Sequence, residues 1–141
     1  MNSVILQIAA KYVRWLLVFF AIVALYRGHN QPGGGFIGGL LVSLSVVFYS
    51  FAFDANKAKA KLKLQPEGYI AFGLILIILS VLPGMIMGKV LMSGIWTSID
   101  LPILGELKLG TPFLFDIGVF LAIIGVILLF FFSLNRTVKW K

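Results

Sequence analysis

The chain of 141 residues has no cysteine, a single histidine and few charges, since only 12% of its residues are Asp, Glu, Lys or Arg. Without cysteine, disulfide bonds and thiolate chemistry are excluded, and nothing marks the redox compartment. One histidine with no cluster of acids around it argues against a metal enzyme, so we expect no metal site and no cofactor. No nucleophile–base pair, P-loop or dinucleotide fingerprint is present, and the sequence does not predict an enzyme.

Apolar residues, in contrast, make up 60% of the chain, and its mean hydropathy is +1.05. A soluble domain has about 25% charged and about 45–50% apolar residues. Because this chain cannot cover its surface with charge, lipid or protein must cover it. A bilayer core of about 30 Å takes about 20 helical residues, so four spans use most of the chain. We therefore predict a single-domain, all-α membrane protein with four transmembrane helices.

The predicted spans are four apolar stretches, at about residues 4–27, 34–53, 69–92 and 112–135. A signal peptide with its apolar region at Trp15–Tyr26 competes for the first stretch, but three more spans follow, and we expect no cleavage. Pro83-Gly84 interrupts the third span. This interruption predicts either a kinked helix or an irregular segment covered by a partner.

Two connections have recognisable patterns. Lysines stand at every second position from Lys57 to Lys63, and this period of two suits an extended segment or strand on the membrane surface. In the connection 93–111, two short apolar runs flank Gly105-Glu106. That arrangement is compatible with a small hairpin.

Lys and Arg are divided unequally between the two ends of the spans. With four spans, both termini and the 54–68 linker share one side, which holds Lys11, Arg14, Lys57, Lys59, Lys61, Lys63, Arg136, Lys139 and Lys141, whereas the other side holds Arg27, Lys89 and Lys108. The positive-inside rule therefore predicts cytoplasmic N- and C-termini. The net charge of +7 then reflects membrane orientation, and no nucleic-acid partner is expected. We expect the Lys57–Lys63 linker to contact anionic lipids.

A glycine-rich turn opens the second span. Residues 28–40 read Gly-His-Asn-Gln-Pro-Gly-Gly-Gly-Phe-Ile-Gly-Gly-Leu. Gly34 with Gly38, and Gly35 with Gly39, have the small-xxx-small spacing that lets a neighbouring helix approach closely. The alternative is an ion or water passage beside exposed backbone. Because a helix N-terminus repels cations, a cation there would use loop carbonyls, His29 or Asn30.

Three acidic residues are candidates for charge-dependent roles. Asp116 stands in the first turns of the fourth span, where an acid either anchors the helix at the interface, paired with Lys108 or Arg27, or handles a cation or proton. Asp100 and Glu106 belong to the 93–111 connection. They are either solvated loop carboxylates or groups that concentrate cations at an entrance.

The turn at 28–40 closely resembles the hallmark turn of the MrpB/MnhB family. Leu101-Pro102-Ile103-Leu104-Gly105-Glu106 and Phe115-Asp116-Ile117-Gly118-Val119 resemble two further signatures of that family, in the same order and at similar spacing. The resemblance covers nearly the whole chain. It implies a non-catalytic subunit of a multisubunit Na+/H+ antiporter in a bacterial or archaeal cytoplasmic membrane.

The same resemblance implies partners and roles. The partners would be subunits A, C, D, E, F and G, and proton-motive force would drive Na+ out of the cell in exchange for H+. The residues expected beside a cation route are His29, Asn30, Pro32, Gly33, Gly34, Gly35, Phe36 and Asp116. Two alternatives stay open: the equivalent subunit of a membrane-bound hydrogenase-type complex, and a purely structural scaffold. A lone transporter is not expected, because the chain lacks a central Lys/Glu/His series for proton relay.

Overall fold

The computed structural model describes residues 4–28, 34–88, 94, 96–101 and 105–137. The elements in chain order are α1 Val4–Arg27, α2 Gly34–Phe53, α3 Ala55–Ala60, α4 Pro66–Ile86, β1 Trp96–Leu101, β2 Gly105–Gly110 and α5 Thr111–Thr137. Among the described helices, α1, α2, α4 and α5 are long and apolar enough to cross a membrane. The predicted architecture of four membrane-spanning helices is confirmed, and the chain is a multi-pass membrane protein.

The third and fourth spans differ in extent from the prediction. α4 begins at Pro66, because proline is favoured at the first helical position, where its missing N–H costs nothing. It then passes through Pro83 and ends at Ile86, so of the two predicted outcomes the helix continues through the proline. Residues 89–92, which were predicted to complete this span, lie outside the described residues. α5 starts at Thr111 and ends at Thr137.

The extended segment or strand predicted for the lysine-rich linker is wrong, because Ala55–Ala60 form the short helix α3. The Asn56 backbone N–H donates a 2.7 Å hydrogen bond to the Asp54 carboxylate, which caps the helix. Asp54 has a φ of 122°, and the chain turns sharply there between α2 and α3. Alanines between the lysines are strong helix formers, and with a local cap they favour the helix over the period-two alternative.

The membrane helices form a row in the order α1, α2, α5, α4. α1 packs along α2, α2 along α5 and α5 along α4, while α1 touches α5 only marginally. The buried core lies where α2, α3 and α5 meet, and it consists of Tyr49, Ala58, Ile124, Leu128 and Phe132. Large apolar side chains are exposed on the outer helices, as hydrocarbon or neighbouring protein requires.

The hairpin in the 93–111 connection is present. β1 and β2 pair antiparallel, with Trp96 opposite Gly110 and Leu101 opposite Gly105. β2 leads directly into α5 at Thr111. Because α4 separates the two connections, the hairpin and the lysine-rich linker lie at opposite ends of the bundle.

Candidate functional site

Glycines let α2 contact α1 through the backbone. A Cβ atom added to Gly34 would lie 2.7 Å from the carbonyl oxygen of Ala24, and one on Gly38 would lie 2.9 Å from that of Ala21. Cβ atoms essentially never approach other atoms to less than 3.0 Å, so each position requires glycine unless the helices move apart. Gly28, at the end of α1, packs against Gly34 in the same way.

The next two glycines, one position along the helix, face α5. A Cβ atom on Gly35 would collide with the backbone carbonyl oxygen of Asp116, and one on Gly39 would lie 2.8 Å from the carbonyl oxygen of Phe120. The first pair therefore packs mainly against the α1 backbone and the second against the α5 backbone, although Gly38 also approaches the Phe120 ring of α5. Asp116 is about 7.5 Å along α5 from Thr111 at 1.5 Å per residue, so α2 begins about one helical turn past the start of α5, at the same end of the bundle.

The structure describes part of the predicted turn. Gly34 and Gly35 are buried in the first turn of α2, whereas the Phe36 side chain is 48% exposed. His29, Asn30, Pro32 and Gly33 lie outside the described residues. Asp116 is half-buried and stands beside Gly35. The fold thus brings the glycine-rich start of α2 to the acid at the start of α5.

The two entrance candidates share one position of the hairpin. Asp100 in β1 is the register partner of Glu106 in β2. Their backbones are therefore adjacent, a few residues before α5 begins. The hairpin, the start of α2 and Asp116 all belong to the same end of the bundle.

A second cluster, at the other end of the bundle, was not predicted. Tyr49 and Phe53 of α2 stack with their ring centroids 4.5 Å apart. Lys61 Nζ lies 4.5 Å and Arg14 Cζ 5.2 Å from the centroid of Tyr49, and Lys11 Nζ lies 5.9 Å from that of Phe53. Lys61 Nζ also donates a 2.6 Å hydrogen bond to the Tyr49 hydroxyl. We call these five residues the cation–aromatic cluster.

Burial differs across the cation–aromatic cluster. Tyr49 is only 8% exposed, Arg14 is half-buried, and Lys11 and Lys61 are exposed. The ring faces attract the cations through their negative quadrupole. Within the described part of the chain, no carboxylate forms an ion pair with Lys11, Arg14 or Lys61. The cluster is therefore a concentration of positive charge on an aromatic base.

A small cavity of about 20 Å³ lies beside Tyr49. Its lining residues are Arg14, Val46, Tyr49, Ala58, Lys61 and Leu62. That volume accommodates about one water molecule, and the guanidinium, ammonium and hydroxyl groups give it polar partners.

Four buried serines satisfy their hydroxyl groups within their own helices. Ser43 Oγ donates to the Gly39 carbonyl at 2.7 Å, Ser45 to Val42 at 2.7 Å, Ser50 to Val46 at 2.9 Å and Ser80 to Ile77 at 2.6 Å. These bonds run along a helix and do not join one helix to another. Among the described residues, no group of three His, Cys, Asp or Glu side chains could hold a metal ion.

The chain is a small polytopic membrane protein: four apolar spans lie in a row, pack through glycines and carry few charges. The outer faces of the row must be covered by lipid or by other proteins. The family described as "Domain related to MnhB subunit of Na+/H+ antiporter" matches residues 5–129. The chain belongs to this MnhB family, and the resemblance seen in its three motifs is confirmed.

Individual relatives agree with the family assignment. The chain is 33% identical over 127 residues to the Na(+)/H(+) antiporter B subunit of Alkalihalophilus pseudofirmus, covering 90% of this chain and 88% of that protein. It is 34% identical over 125 residues to the Na(+)/H(+) antiporter B subunit of Bacillus subtilis, covering 89% and 87%. These relatives match along nearly their whole length.

A solved structure shares the fold. In the Mrp complex from Dietzia sp. DQ12-45-1b, one chain matches with a TM-score of 0.73 and 31% identity over 90% of this chain. The present chain spans only 13% of the length of that chain. In that complex, the equivalent fold is therefore one part of a much longer polypeptide.

Proposed function

We propose that this chain is a non-catalytic membrane subunit of a multisubunit Na+/H+ antiporter that uses proton-motive force to move Na+ out of the cell. The observation that carries the proposal is the match of nine-tenths of the chain to part of an Mrp complex, with a TM-score of 0.73. The two relatives named as antiporter B subunits support it independently. Together they favour the antiporter over the hydrogenase-type alternative.

The distribution of charge supports a subunit role over independent transport. A single polypeptide that couples two ions needs polar groups near the membrane midplane. In the described spans, the middle of α2 and the later part of α4 offer only serines whose hydroxyl groups bond to their own helix. The titratable groups of a coupled mechanism would then come from partner subunits, which we take to be A, C, D, E, F and G.

The start of α2 and Asp116 are the part of this chain that we place beside the cation route. The support is the contact of Gly35 with the Asp116 backbone, which puts the glycine-rich turn within a few residues of an acid. A cation at this level would use the carboxylate, the loop carbonyls, His29 or Asn30, because the α2 amide end repels it. Asp100 and Glu106, at the same end of the bundle, would raise the local cation concentration.

The Lys57–Lys63 linker, at the other end, is proposed to contact anionic lipids. It lies between the end of α2 and the start of α4, and α3 presents Lys57 and Lys59 in its last turn. Juxtamembrane lysines gain about 1 kcal/mol each from an anionic leaflet. This contact also fits the predicted cytoplasmic position of the linker.

Na+-dependent proton flux in everted membrane vesicles tests the proposed function. The host complex is expressed with and without this chain in cells that lack their own Na+/H+ antiporters. We expect flux, and co-purification of the other subunits in mild detergent, only when the chain is present. Full flux without the chain, or co-purification with hydrogenase-like subunits alone, would overturn the proposal.

A further inference from the structure

We propose that the cation–aromatic cluster binds the phosphate of one anionic phospholipid headgroup. The site differs from the diffuse attraction proposed for the Lys57–Lys63 linker, because it consists of Lys11, Arg14 and Lys61 held around Tyr49 and Phe53. The proposal goes beyond the antiporter function and does not depend on it.

The first support is unbalanced charge. Lys11 and Arg14 come from α1 and Lys61 from the linker, so the fold brings three cations from distant segments to two adjacent rings. Like charges repel, and no described carboxylate pairs with any of the three. A phosphate among them supplies the missing opposite charge, and guanidinium and ammonium groups are its usual partners.

The second support is unused hydrogen-bonding capacity. A lysine ammonium has three N–H donors and an arginine guanidinium five. Within the described part of the chain, the hydrogen bond from Lys61 to the Tyr49 hydroxyl is the one that these three side chains make. The aromatic base thus positions the cations while most of their donors stay available to an external acceptor.

The third support is the position of the cluster, which favours a lipid over a soluble anion. Tyr12 and Trp15, at 75% and 74% exposure, stand next to Lys11 and Arg14 on α1. Tyrosine and tryptophan concentrate at headgroup depth. Apolar side chains deeper in the same helix, Phe19 and Ile22, are exposed at 61% and 60% and provide surface for acyl chains. An anion bound at this depth would therefore be the headgroup of a lipid, with its acyl chains against these apolar side chains.

The size of the cavity decides where the phosphate lies. At about 20 Å³, the space beside Tyr49 takes one water molecule and is too small for a headgroup. The phosphate would therefore rest on the outer side, against the exposed ammonium groups of Lys11 and Lys61 and the half-buried guanidinium of Arg14. A water in the cavity can bridge Arg14 and Lys61 behind it.

The test counts bound lipid on the whole complex by native mass spectrometry. The complex is titrated with phosphatidylglycerol and, separately, with zwitterionic phosphatidylcholine. R14Q/K61Q removes two charges from the cluster, and K57Q/K59Q is the matched control that removes two from α3. We expect R14Q/K61Q to weaken phosphatidylglycerol binding at least about tenfold. The control should lower the affinity for this one bound phosphatidylglycerol less than about twofold, because Lys57 and Lys59 lie outside the cluster and attract the leaflet only diffusely. Binding of phosphatidylcholine should not change.

K61Q alone is the second variant, because Lys61 is exposed and belongs to the linker, outside the membrane-spanning helices. It should weaken binding about fivefold. Equal losses in both double variants would mean diffuse attraction and would overturn the site. Displacement of the lipid by glycerophosphate, which lacks acyl chains, would show a soluble-anion site instead. Unchanged lipid binding with loss of a neighbouring subunit in R14Q/K61Q would assign the cluster to a partner carboxylate.

Discussion

Gly35 of α2 lies directly against the backbone carbonyl group of Asp116 in α5. The contact joins two motifs that are far apart in the sequence and places them at one level of the membrane. Gly35 therefore determines how closely the two helices pack, and the adjacent Asp116 provides the charge. A substitution at Gly35 changes the fit of two helices, whereas one at Asp116 changes the charge without touching that fit.

Gly35→Ala should lower the stability of the folded chain by about 1–3 kcal/mol, the usual range for overpacking. The added Cβ would collide with backbone, which can yield only if α2 and α5 separate. Survival of the assembled complex after graded heating, followed by gel filtration, measures the effect. Gly68→Ala is the control, because its Cβ would meet only Leu64 Cβ at 3.5 Å, an ordinary contact. Equal heat resistance in the two variants would contradict the described packing.

Asp116→Asn should reduce Na+-dependent proton flux about tenfold or more, which corresponds to about 1.4 kcal/mol on the transport barrier. The amide has nearly the same size as the carboxylate, so assembly should be unaffected. Glu67→Gln, at the start of α4 and the opposite end of the bundle, is the control and should transport normally. His29→Ala tests the turn in the same assay. Wild-type flux in both the Asp116 and His29 variants would support a purely structural scaffold.

Tyr49→Phe should cost about 0.5–1.5 kcal/mol, since it removes the hydroxyl that accepts from Lys61 and keeps the stacked ring. Tyr49→Ala should cost about 3–5 kcal/mol, because the buried ring is lost as well. Midpoints of thermal unfolding of the purified chain in one detergent give the comparison. In Y49F/K61M, the loss should be smaller than the sum of the two single losses. Strict additivity would show that the hydrogen bond contributes nothing.

Asp54→Ala should destabilise α3 by about 1–2 kcal/mol, because alanine keeps the unfavourable φ of 122° and loses the capping carboxylate. Asp54→Gly should stay near wild type, since glycine tolerates that φ and is itself an acceptable N-cap. The rate of tryptic cleavage after Lys57 and Lys59 reports the opening of α3. Faster cleavage in the glycine variant than in the alanine variant would be inconsistent with the described turn.

The absence of cysteine makes the orientation easy to measure, because any introduced thiol is the only one in the chain. Asn56→Cys, beside the linker, should react with a membrane-impermeant maleimide in everted vesicles only. Met87→Cys, just past α4 and 62% exposed, should react in intact cells. The reverse pattern would place both termini outside the cell.

The four spans were predictable because apolar runs of about 20 residues have few other stable environments. The start of α4 was harder to predict. Proline is common both at the end of a linker and at the first position of a helix, and the sequence does not show which of the two Pro66 occupies. In the linker, the alternation of lysine and alanine suggested an extended segment. The helix that forms instead is capped by a hydrogen bond from the Asn56 N–H to Asp54, which the alternation does not indicate. The hairpin was predictable because glycine separates two short apolar runs.

The sites depended on tertiary contacts that spacing does not reveal. The pairs of glycines predicted a close approach, but not that neighbouring pairs face α1 and α5 respectively. By position alone, Lys11 and Arg14 are interfacial residues at the end of a span, Lys61 is one lysine of a lipid-binding run, and nothing distinguishes Tyr49. Only the pairing of α1 with α2, and the return of the linker after α3, brings these residues together.

The row of helices has a consequence for how the protein assembles in the bilayer. α1–α2 and α4–α5 are each antiparallel neighbours along the chain, so either pair can form as soon as its second member leaves the translocon. The seam between α2 and α5, with Gly35 and Gly39 on one side, unites segments made early and late. This contact can form only after α5 has been synthesised. Until then, the α5-facing glycines of α2 are exposed to lipid.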